Sequence, residues 1–253
     1  MLSGPRERAI LERLEETGTA RVEDLAGALG VTGETIRRAL KRLEAAGRIA
    51  RVHGGAHLKD WGPEPTFAQR MQVNPGAKRR IAEAVARMLP DGASVFLDVG
   101  STTAYVAQAL RARRELLVVT NSLPVAQALA GVNGNRVFMA GGELRAHDGG
   151  AFGAEALDFL RQFRVGHAIL SVAAVNAEGG FLLQDLREAE FSRAMIARAE
   201  TVIVAADAAK FGHSAPIAVA PPQAFHHLVT EAAPTDSLAA MLAAAGVRVT
   251  VAA

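Results

Sequence analysis

The feature that most constrains the fold is the alternation of short apolar segments with amphipathic ones from Gly76 onward. The apolar segments predict β-strands at 95–98, 116–120, 136–140, 168–173, 202–207, 227–230 and 247–251. The segments between them predict helices at 77–89, 102–112, 122–131, 153–162, 187–199 and 236–245. Strands joined by helical crossovers form a mostly parallel sheet that is covered on both faces. We therefore predict an α/β fold with a Rossmann-like domain over residues 76–253.

Polar and glycine residues follow four of these strands, at the edge where parallel sheets bind their ligands. Gly100, Ser101, Thr102 and Thr103 open a helix, whose N–H groups and dipole favour a phosphate. The other candidates at this edge are Asn121, Gly141, Gly142, Asp207 and Lys210, with Lys78 within reach from the first helix of the domain. Each turn alone is also what any α/β protein needs at the end of a strand. Their coincidence on one edge predicts a site for a small phosphorylated ligand.

The stretch from Thr32 to Gly55 predicts a second site. Ile36, Leu40 and Leu43 recur on one face of a helix. Cationic residues occupy the other face and the segment that follows: Arg37, Arg38, Lys41, Arg42, Arg48 and Arg51. A helix with a buried apolar stripe and a cationic outer face suits the major groove of DNA. The ordinary alternative is a solvated helix face that binds nothing.

The neighbouring segments favour the DNA-binding interpretation. Helices predicted at 5–17 and 22–29 precede the cationic helix, as in a helix-turn-helix, and 48–58 predicts a wing that turns at Gly54 and Gly55 with positive φ. The first helical turn enters the groove deepest, so it should read bases, and the later cations should meet phosphates. The predicted DNA-binding residues are Thr32 as the cap, Gly33 for close approach, Glu34, Thr35 and Arg38 for bases, Arg37 beside them, and Lys41, Arg42, Arg51 and His53 for phosphates.

A linker is predicted over 59–75, between a DNA-binding domain at 1–58 and the α/β domain at 76–253. Pro63 and Pro65 hold the linker extended. Trp61, the only tryptophan, is interpreted as a side chain that docks between the domains instead of stacking on a ligand.

Composition narrows the classes of function further. Residues 1–60 hold 11 of the 28 Lys and Arg and 9 of the 26 Asp and Glu, so the net charge of +2 lies entirely in the first domain. The absence of Cys excludes disulfides and thiolate metal sites and suits a cytoplasmic protein. Neither a signal peptide nor a membrane helix is predicted. His226 and His227 have no carboxylate at ligand spacing, so we expect no metal and no cofactor.

Five motifs in order carry a resemblance that covers nearly the whole chain. The segment 34–56 reads ETIRRALKRLEAAGRIARVHGGA, and it is followed by LDVGSTT, VVTNS, AGGELR and DAAKFG. This set resembles the DeoR-type repressors. Within that family, the second domain is most similar to members that repress glycerol-3-phosphate regulons.

The resemblance implies a winged helix-turn-helix on operator DNA and a sensor domain akin to sugar-phosphate isomerases. It adds Asp98, Thr120 and Glu188 to the predicted effector-binding residues. We expect a repressor of a carbohydrate or polyol catabolic operon, which a phosphorylated sugar or glycerol 3-phosphate releases from its operator. A homo-oligomer, dimer or tetramer, is expected because one small head cannot give adequate specificity.

Two alternatives stay open at this point. The chain could be a sugar-phosphate isomerase-like enzyme with an attached DNA-binding head, in which Asp98, Glu188, Asp207 and Lys210 act as acids and bases. No sharp catalytic constellation is visible, so we predict no enzyme and no catalytic residue. The regulator could also be an activator, since the sign of regulation depends on where the operator lies.

Overall fold

The computed structural model describes residues 4–17, 19–46, 48–52, 55–58 and 66–253. Helices of the first domain are α1 (Pro5–Thr17), α2 (Val22–Leu29) and α3 (Gly33–Ala45). Its strands are β1 (Thr19–Arg21), β2 (Ile49–Val52) and β3 (Gly55–Leu58), paired antiparallel in the order β1-β3-β2. Three helices followed by an antiparallel wing confirm the predicted winged helix-turn-helix.

Helix α3 begins at the predicted cap. The Thr32 side chain accepts a hydrogen bond from the Thr35 N–H (3.3 Å), which satisfies a donor that the first turn leaves open. Gly30 links α2 to α3 in the left-handed conformation, with φ of 62°. The apolar face of α3 packs into one core with α1 and α2, formed by Ile10, Leu14, Leu25, Ile36, Ala39, Leu40 and Leu43 among others.

The wing needs Gly55 for a reason other than the predicted turn. Gly55 begins strand β3, where a Cβ atom would lie 2.5 Å from the Ala20 carbonyl oxygen of β1. Glycine is therefore required here by the close approach of the two strands. A positive φ angle is not the reason. Gly54 lies outside the described residues.

The second domain is built from seven helices and ten strands within 66–253. Its helices are α4 (Phe67–Gln72), α5 (Pro75–Met88), α6 (Ser101–Ala109), α7 (Leu123–Leu129), α8 (Ala154–Leu160), α9 (Leu186–Ile196) and α10 (Asp236–Ala244). Its strands are β4 (Ser94–Leu97), β5 (Leu117–Thr120), β6 (Arg136–Met139), β7 (Val165–Leu170), β8 (Ala174–Asn176), β9 (Gly180–Leu183), β10 (Ala199–Ala205), β11 (Ile217–Ala218), β12 (His227–Thr230) and β13 (Arg248–Val251).

Seven of these strands form one parallel sheet in the order β13-β12-β10-β7-β4-β5-β6. Successive residues of a strand point to opposite faces, and both faces are apolar. In β4, for example, Phe96 belongs to one core, while Val95 and Leu97 belong to the other. The sheet confirms the predicted α/β class, and its strands lie within a few residues of the predicted ones.

The strand order reverses between β4 and β7. From β4 the chain runs outward through β5 to β6, then returns to place β7 on the other side of β4. Sheets of this kind bind ligands at the carboxyl ends of the strands, where the strand order reverses. The loop that leaves β4 contains Gly100.

Two parts of the domain were not predicted. Strands β8, β9 and β11 form a small antiparallel sheet. Helix α4 lies inside the predicted linker, and a capping box between Thr66 and Gln69 starts it. The Tyr105 hydroxyl of α6 donates to the Met71 carbonyl oxygen of α4 (3.0 Å), so α4 packs with the second domain. The domain boundaries themselves stay a prediction.

Within the described ranges, no helix is both long enough and apolar enough to span a membrane.

Candidate functional site

The exposed face of α3 carries the predicted base-reading residues. Arg38 and Arg37 have side-chain exposures of 75% and 60%. Glu34 pairs with both: its carboxylate accepts from the Arg38 Nε (3.3 Å) and lies 3.8 Å from an Arg37 nitrogen. Such exposed pairs contribute little to stability, so both guanidinium groups can exchange Glu34 for a base edge or a phosphate at small cost.

Two of the predicted phosphate contacts are exposed on the same helix. Lys41 is exposed, and the Arg42 side chain is 64% exposed while its Nε donates to a carboxylate oxygen of Glu7 on α1 (2.6 Å). The side chain of Arg51 and the whole of His53 lie outside the described residues, and their roles stay predictions.

Asp98 and the loop after β4 form the centre of the second candidate site. The buried Asp98 carboxylate accepts hydrogen bonds from the Ser171 N–H (2.8 Å) and hydroxyl (3.3 Å), just past the end of β7. Burial raises the pKa of Asp98 to about 7, against the lowering effect of the Ser171 bonds. A Cβ atom at Gly100 would lie 2.0 Å from the Ser171 hydroxyl oxygen, so only glycine fits there.

The amino end of α6 has the features of an anion site. Gly100 is its N-cap, and no side chain caps the first-turn N–H groups. The Thr103 hydroxyl donates to the Asp98 and Gly100 carbonyl oxygens (3.1 Å each), which fixes the loop. Uncapped N–H groups and the helix dipole together attract a phosphate.

Beside this loop lies a small cavity lined by both polar and apolar side chains. The Asn121 Nδ2 donates to the Ala151 carbonyl oxygen (3.0 Å), which fixes the amide. The Asn121 Oδ1 is buried, without a hydrogen-bond partner among the described residues. Thr120 has a structural bond, since its hydroxyl donates to the Leu97 carbonyl oxygen (2.7 Å). The cavity is lined by Asp98, Val99, Asn121, Phe152, Leu183, Glu188, Phe191 and Ser192.

Arg145 holds the far wall of this cavity. Its guanidinium donates to Asp148 and Glu188, and to Asp185 at 3.2 Å, while it stacks 4.4 Å over the Phe152 ring. Burial lowers the pKa of Arg145, but its bonds to Asp148 and Glu188 outweigh that effect and raise it above the usual range. Arg145 therefore stays charged and sets the position of Glu188.

Lys78 occupies another part of the same sheet edge. Its Nζ donates to the Arg70 carbonyl oxygen of α4 (2.5 Å), and the side chain is almost fully buried. Burial lowers the pKa of Lys78 to about 8; Asp207 opposes this, and Lys210 and Arg70 add to it. Asp207 in turn accepts from the Asn74 Nδ2 (3.4 Å).

The structure thus brings most predicted residues to one edge of the sheet. Thr120 is the last residue of β5. The residues that follow the ends of β4, β5, β6 and β10 are Asp98, the 100–103 loop, Asn121, Gly141, Gly142, Asp207 and Lys210, and both of these later glycines are exposed. Glu188 reaches the cavity from α9. Their role in binding a ligand stays a prediction.

Ser171 and Arg145 were missed. Ser171 fell inside the predicted strand 168–173, whereas β7 ends at Leu170, so the first residue past the strand was hidden by an apolar run. Arg145 opens a hairpin tip at 147–150, in which the Gly149 N–H donates to the Arg145 carbonyl oxygen (2.9 Å).

Comparison with known proteins identifies the family. Residues 6–60 match the DeoR-like helix-turn-helix domain, and residues 73–232 match the DeoR C terminal sensor domain. The chain belongs to the DeoR family. This DeoR-family chain is 35% identical to the glycerol-3-phosphate regulon repressor of Escherichia coli (strain K12), over 94% of both chains.

Two further DeoR-family relatives have similar coverage. The glycerol-3-phosphate regulon repressor of Haemophilus influenzae is 37% identical, over 83% of this chain and 82% of that one. The HTH-type transcriptional repressor CsqR of Escherichia coli (strain K12) is 33% identical, over 96% of this chain and 93% of that one. All three relatives are named as repressors and none as an enzyme. A ribose 5-phosphate isomerase from Methanocaldococcus jannaschii covers 55% of this chain and of its own, at 16% identity and a TM-score of 0.41.

Proposed function

We propose that this protein is a transcriptional repressor that a small phosphorylated sugar or polyol releases from its operator. The observation that carries the proposal is the uncapped amino end of α6, beside a cavity of about 10 Å³ that has room for one hydroxyl group and is lined by both polar and apolar side chains. The exposed arginines of α3 supply the contacts to operator DNA. The relatives described above are named as repressors. A repressor of this kind acts in the cytoplasm.

The chemistry of the cavity specifies the non-phosphate part of the effector. Asn121 Oδ1 accepts only, and its Nδ2 is already used. The Glu188 side chain accepts a hydrogen bond from Arg145 and forms an ion pair with it. A hydroxyl group can donate to both, whereas a carboxylate would meet two acceptors and lose its hydration without compensation. The site therefore selects hydroxylated phosphates, such as glycerol 3-phosphate or ribose 5-phosphate, over phosphorylated acids.

Thermal unfolding of the full chain tests this selection. A ligand that binds only the folded protein raises the melting temperature, by an amount that grows with concentration over its dissociation constant. We expect a rise with glycerol 3-phosphate or ribose 5-phosphate at millimolar concentration, and little with 3-phosphoglycerate, which is similar in size. Equal shifts for the acid and the polyol would contradict the role of Asn121 and Glu188.

DNA release is tested with duplexes that the full chain selects from a random pool. The compound with the largest melting shift should reduce affinity for the selected duplex by about 5- to 150-fold, the usual range of allosteric coupling. Placing the selected site downstream or upstream of a reporter promoter separates repression from activation. Incubation with ribose 5-phosphate, followed by assay for ribulose 5-phosphate, tests the isomerase alternative, for which we expect no turnover.

We propose further that the protein binds its operator as a dimer or tetramer. One head exposes few cations on α3, and a single small module gives too few contacts for specific binding at physiological salt. Light scattering of the full chain, alone and with the selected duplex, measures the number of copies. A monomer on a single half-site would contradict this proposal.

A further inference from the structure

Helix α4 accepts hydrogen bonds from side chains that lie at or near the candidate effector site. It is six residues long and has no fully buried residue, so it depends on contacts with the rest of the domain. Met71 packs against the core, Arg70 lies 3.9 Å from Asp148, and the Phe67 N–H donates to the His147 carbonyl oxygen (3.4 Å). It is also the first described element after residue 65, and therefore the part of the second domain next to the segment that leads from the DNA-binding head.

The carboxyl end of α4 is held by two groups from the helices on either side of the site. Lys78 of α5 donates to the Arg70 carbonyl oxygen at 2.5 Å, and Tyr105 of α6 donates to the Met71 carbonyl oxygen at 3.0 Å. Tyr105 is one helical turn beyond Ser101, where the uncapped end of α6 begins. These two bonds satisfy carbonyl groups that the end of a short helix leaves open.

The Arg70 carbonyl oxygen and a bound anion can compete for the Lys78 ammonium group. This ammonium group is shielded from water and lies in a field to which Asp207, Lys210 and Arg70 all contribute. A phosphate dianion is a much stronger acceptor than a peptide carbonyl, because hydrogen bonds between charged partners are about twice as strong as neutral ones. An anion bound at this edge therefore draws the ammonium away from α4.

We propose that Lys78 couples the effector site to α4 by holding the Arg70 carbonyl of α4 when the site is empty and turning to the phosphate of the effector when it binds. This inference rests on the proposed function. Loss of the Lys78 bond removes one of the two side-chain donors to the last carbonyl groups of α4, while Tyr105, the Arg70–Asp148 pair and the packing of Met71 remain. Helix α4 then opens more often.

Millisecond hydrogen exchange of the full chain, with peptides covering 66–74 and 97–104, tests the proposal. The probes are glycerol 3-phosphate, ribose 5-phosphate and inorganic phosphate. We expect a bound probe to slow exchange at 97–104 and to speed it at 66–74 by about fivefold or more, in line with common coupling factors. Slower exchange at 97–104 with unchanged or slower exchange at 66–74 would overturn the coupling while leaving the proposed function intact.

Three variants sharpen the test. In Lys78→Met, the amide hydrogens of 66–74 should exchange fast without a probe, and adding a probe should not change that rate. Tyr105→Phe, which removes only a hydroxyl, should speed exchange there about fivefold and keep its response to the probe. Arg113→Met is the matched control, because Arg113 Nε also donates to a carbonyl near a helix end, that of Ala86 at 3.0 Å, but on α5; it should behave as the wild type.

A Lys78→Met protein that is folded by circular dichroism and still speeds up at 66–74 with the probe would overturn the proposal. If no probe slows exchange at 97–104 at millimolar concentration, the proposed function fails, and the coupling fails with it.

Discussion

The two candidate sites of this protein use charge in opposite ways. On α3, the side chains of Glu34, Arg37 and Arg38 are more than half exposed. At the sheet edge, Asp98 and Lys78 are almost completely buried, and their pKa values move towards neutrality. Exposed charges are screened and interchangeable, so they suit a long polyanion. Buried charges are strong and fixed in position, so they suit a small ligand that must be distinguished from similar ones.

The largest expected difference between the sites concerns stability. Arg145 is 17% exposed and Asp148 is fully buried, so Arg145→Met removes the closest cation from a buried carboxylate and leaves it Arg70 at 3.9 Å and the Gly150 N–H at 3.1 Å. The free energy of unfolding should fall by up to about 3–5 kcal/mol. Arg161→Met is the matched control, since Arg161 pairs with Asp158 at the same spacing but on the surface. It should cost less than about 1 kcal/mol. Urea unfolding followed by circular dichroism measures both, and equal losses would show that burial does not set the difference.

The second prediction concerns the pH dependence of stability. The pKa of Asp98 is about 7 in the folded protein against 3.8 ordinarily, so the folded state holds a proton that the unfolded state has lost. The contribution of Asp98 to the free energy of unfolding is therefore fully present below about pH 4. It is lost as the pH rises towards about 7, by at most on the order of 4 kcal/mol. The Asp98→Asn variant should lack this fall. Comparing chemical unfolding of the two proteins between pH 4 and 8 isolates the contribution.

Lys78 should show the opposite dependence. Its pKa is lowered to about 8 in the folded protein, so its contribution to stability is lost as the pH falls through about 8 and is complete above its ordinary value of 10.5. The difference between wild type and Lys78→Met should therefore change between pH 7 and 10. No exposed cation of α3 should produce such a change, and a similar change in Lys41→Met would break the contrast between the sites.

How far the sequence predicts each region follows from how local its signals are. The seven strands of the large sheet were predicted because buried parallel strands are continuous apolar runs. The edge residues followed, since the ends of parallel strands meet. Strands β8, β9 and β11 were not predicted, because two to four residues carry no clear periodicity.

The interactions that shape the effector site have almost no local signal. Arg145 reaches Asp185 and Glu188 across 40 and 43 residues of sequence, and Ser171 reaches Asp98 across 73. Nothing in the spacing of these residues links them before the sheet is assembled. The face of α3 was easier to predict, because its pattern of apolar and cationic residues lies within one helix.

A smaller effect is expected at the base-reading turn of α3. Arg38→Ala should weaken binding to the selected duplex by about 1–3 kcal/mol and relax the preference at one base pair. The thermal stability of the protein should not change, because the pair with Glu34 is exposed. Arg161→Ala, which also removes an exposed, paired arginine, is the control and should leave DNA binding intact. Binding titrations against duplexes with single substitutions measure both affinity and preference.

The smallest effect is expected at the cap of α3. Thr32→Ala removes the acceptor of the Thr35 N–H, which should destabilise the first domain by about 1 kcal/mol, while Thr32→Ser should keep the cap. Because Thr35 and Glu34 lie in the turn that this bond closes, Thr32→Ala should also weaken binding to the selected duplex. Ser122→Ala makes the same change at the cap of α7, where Ser122 accepts from the Val125 N–H (3.4 Å), and should leave duplex binding unchanged. If both variants weakened duplex binding equally, the cap would act through general stability, and α3 would lose its distinct role in reading DNA.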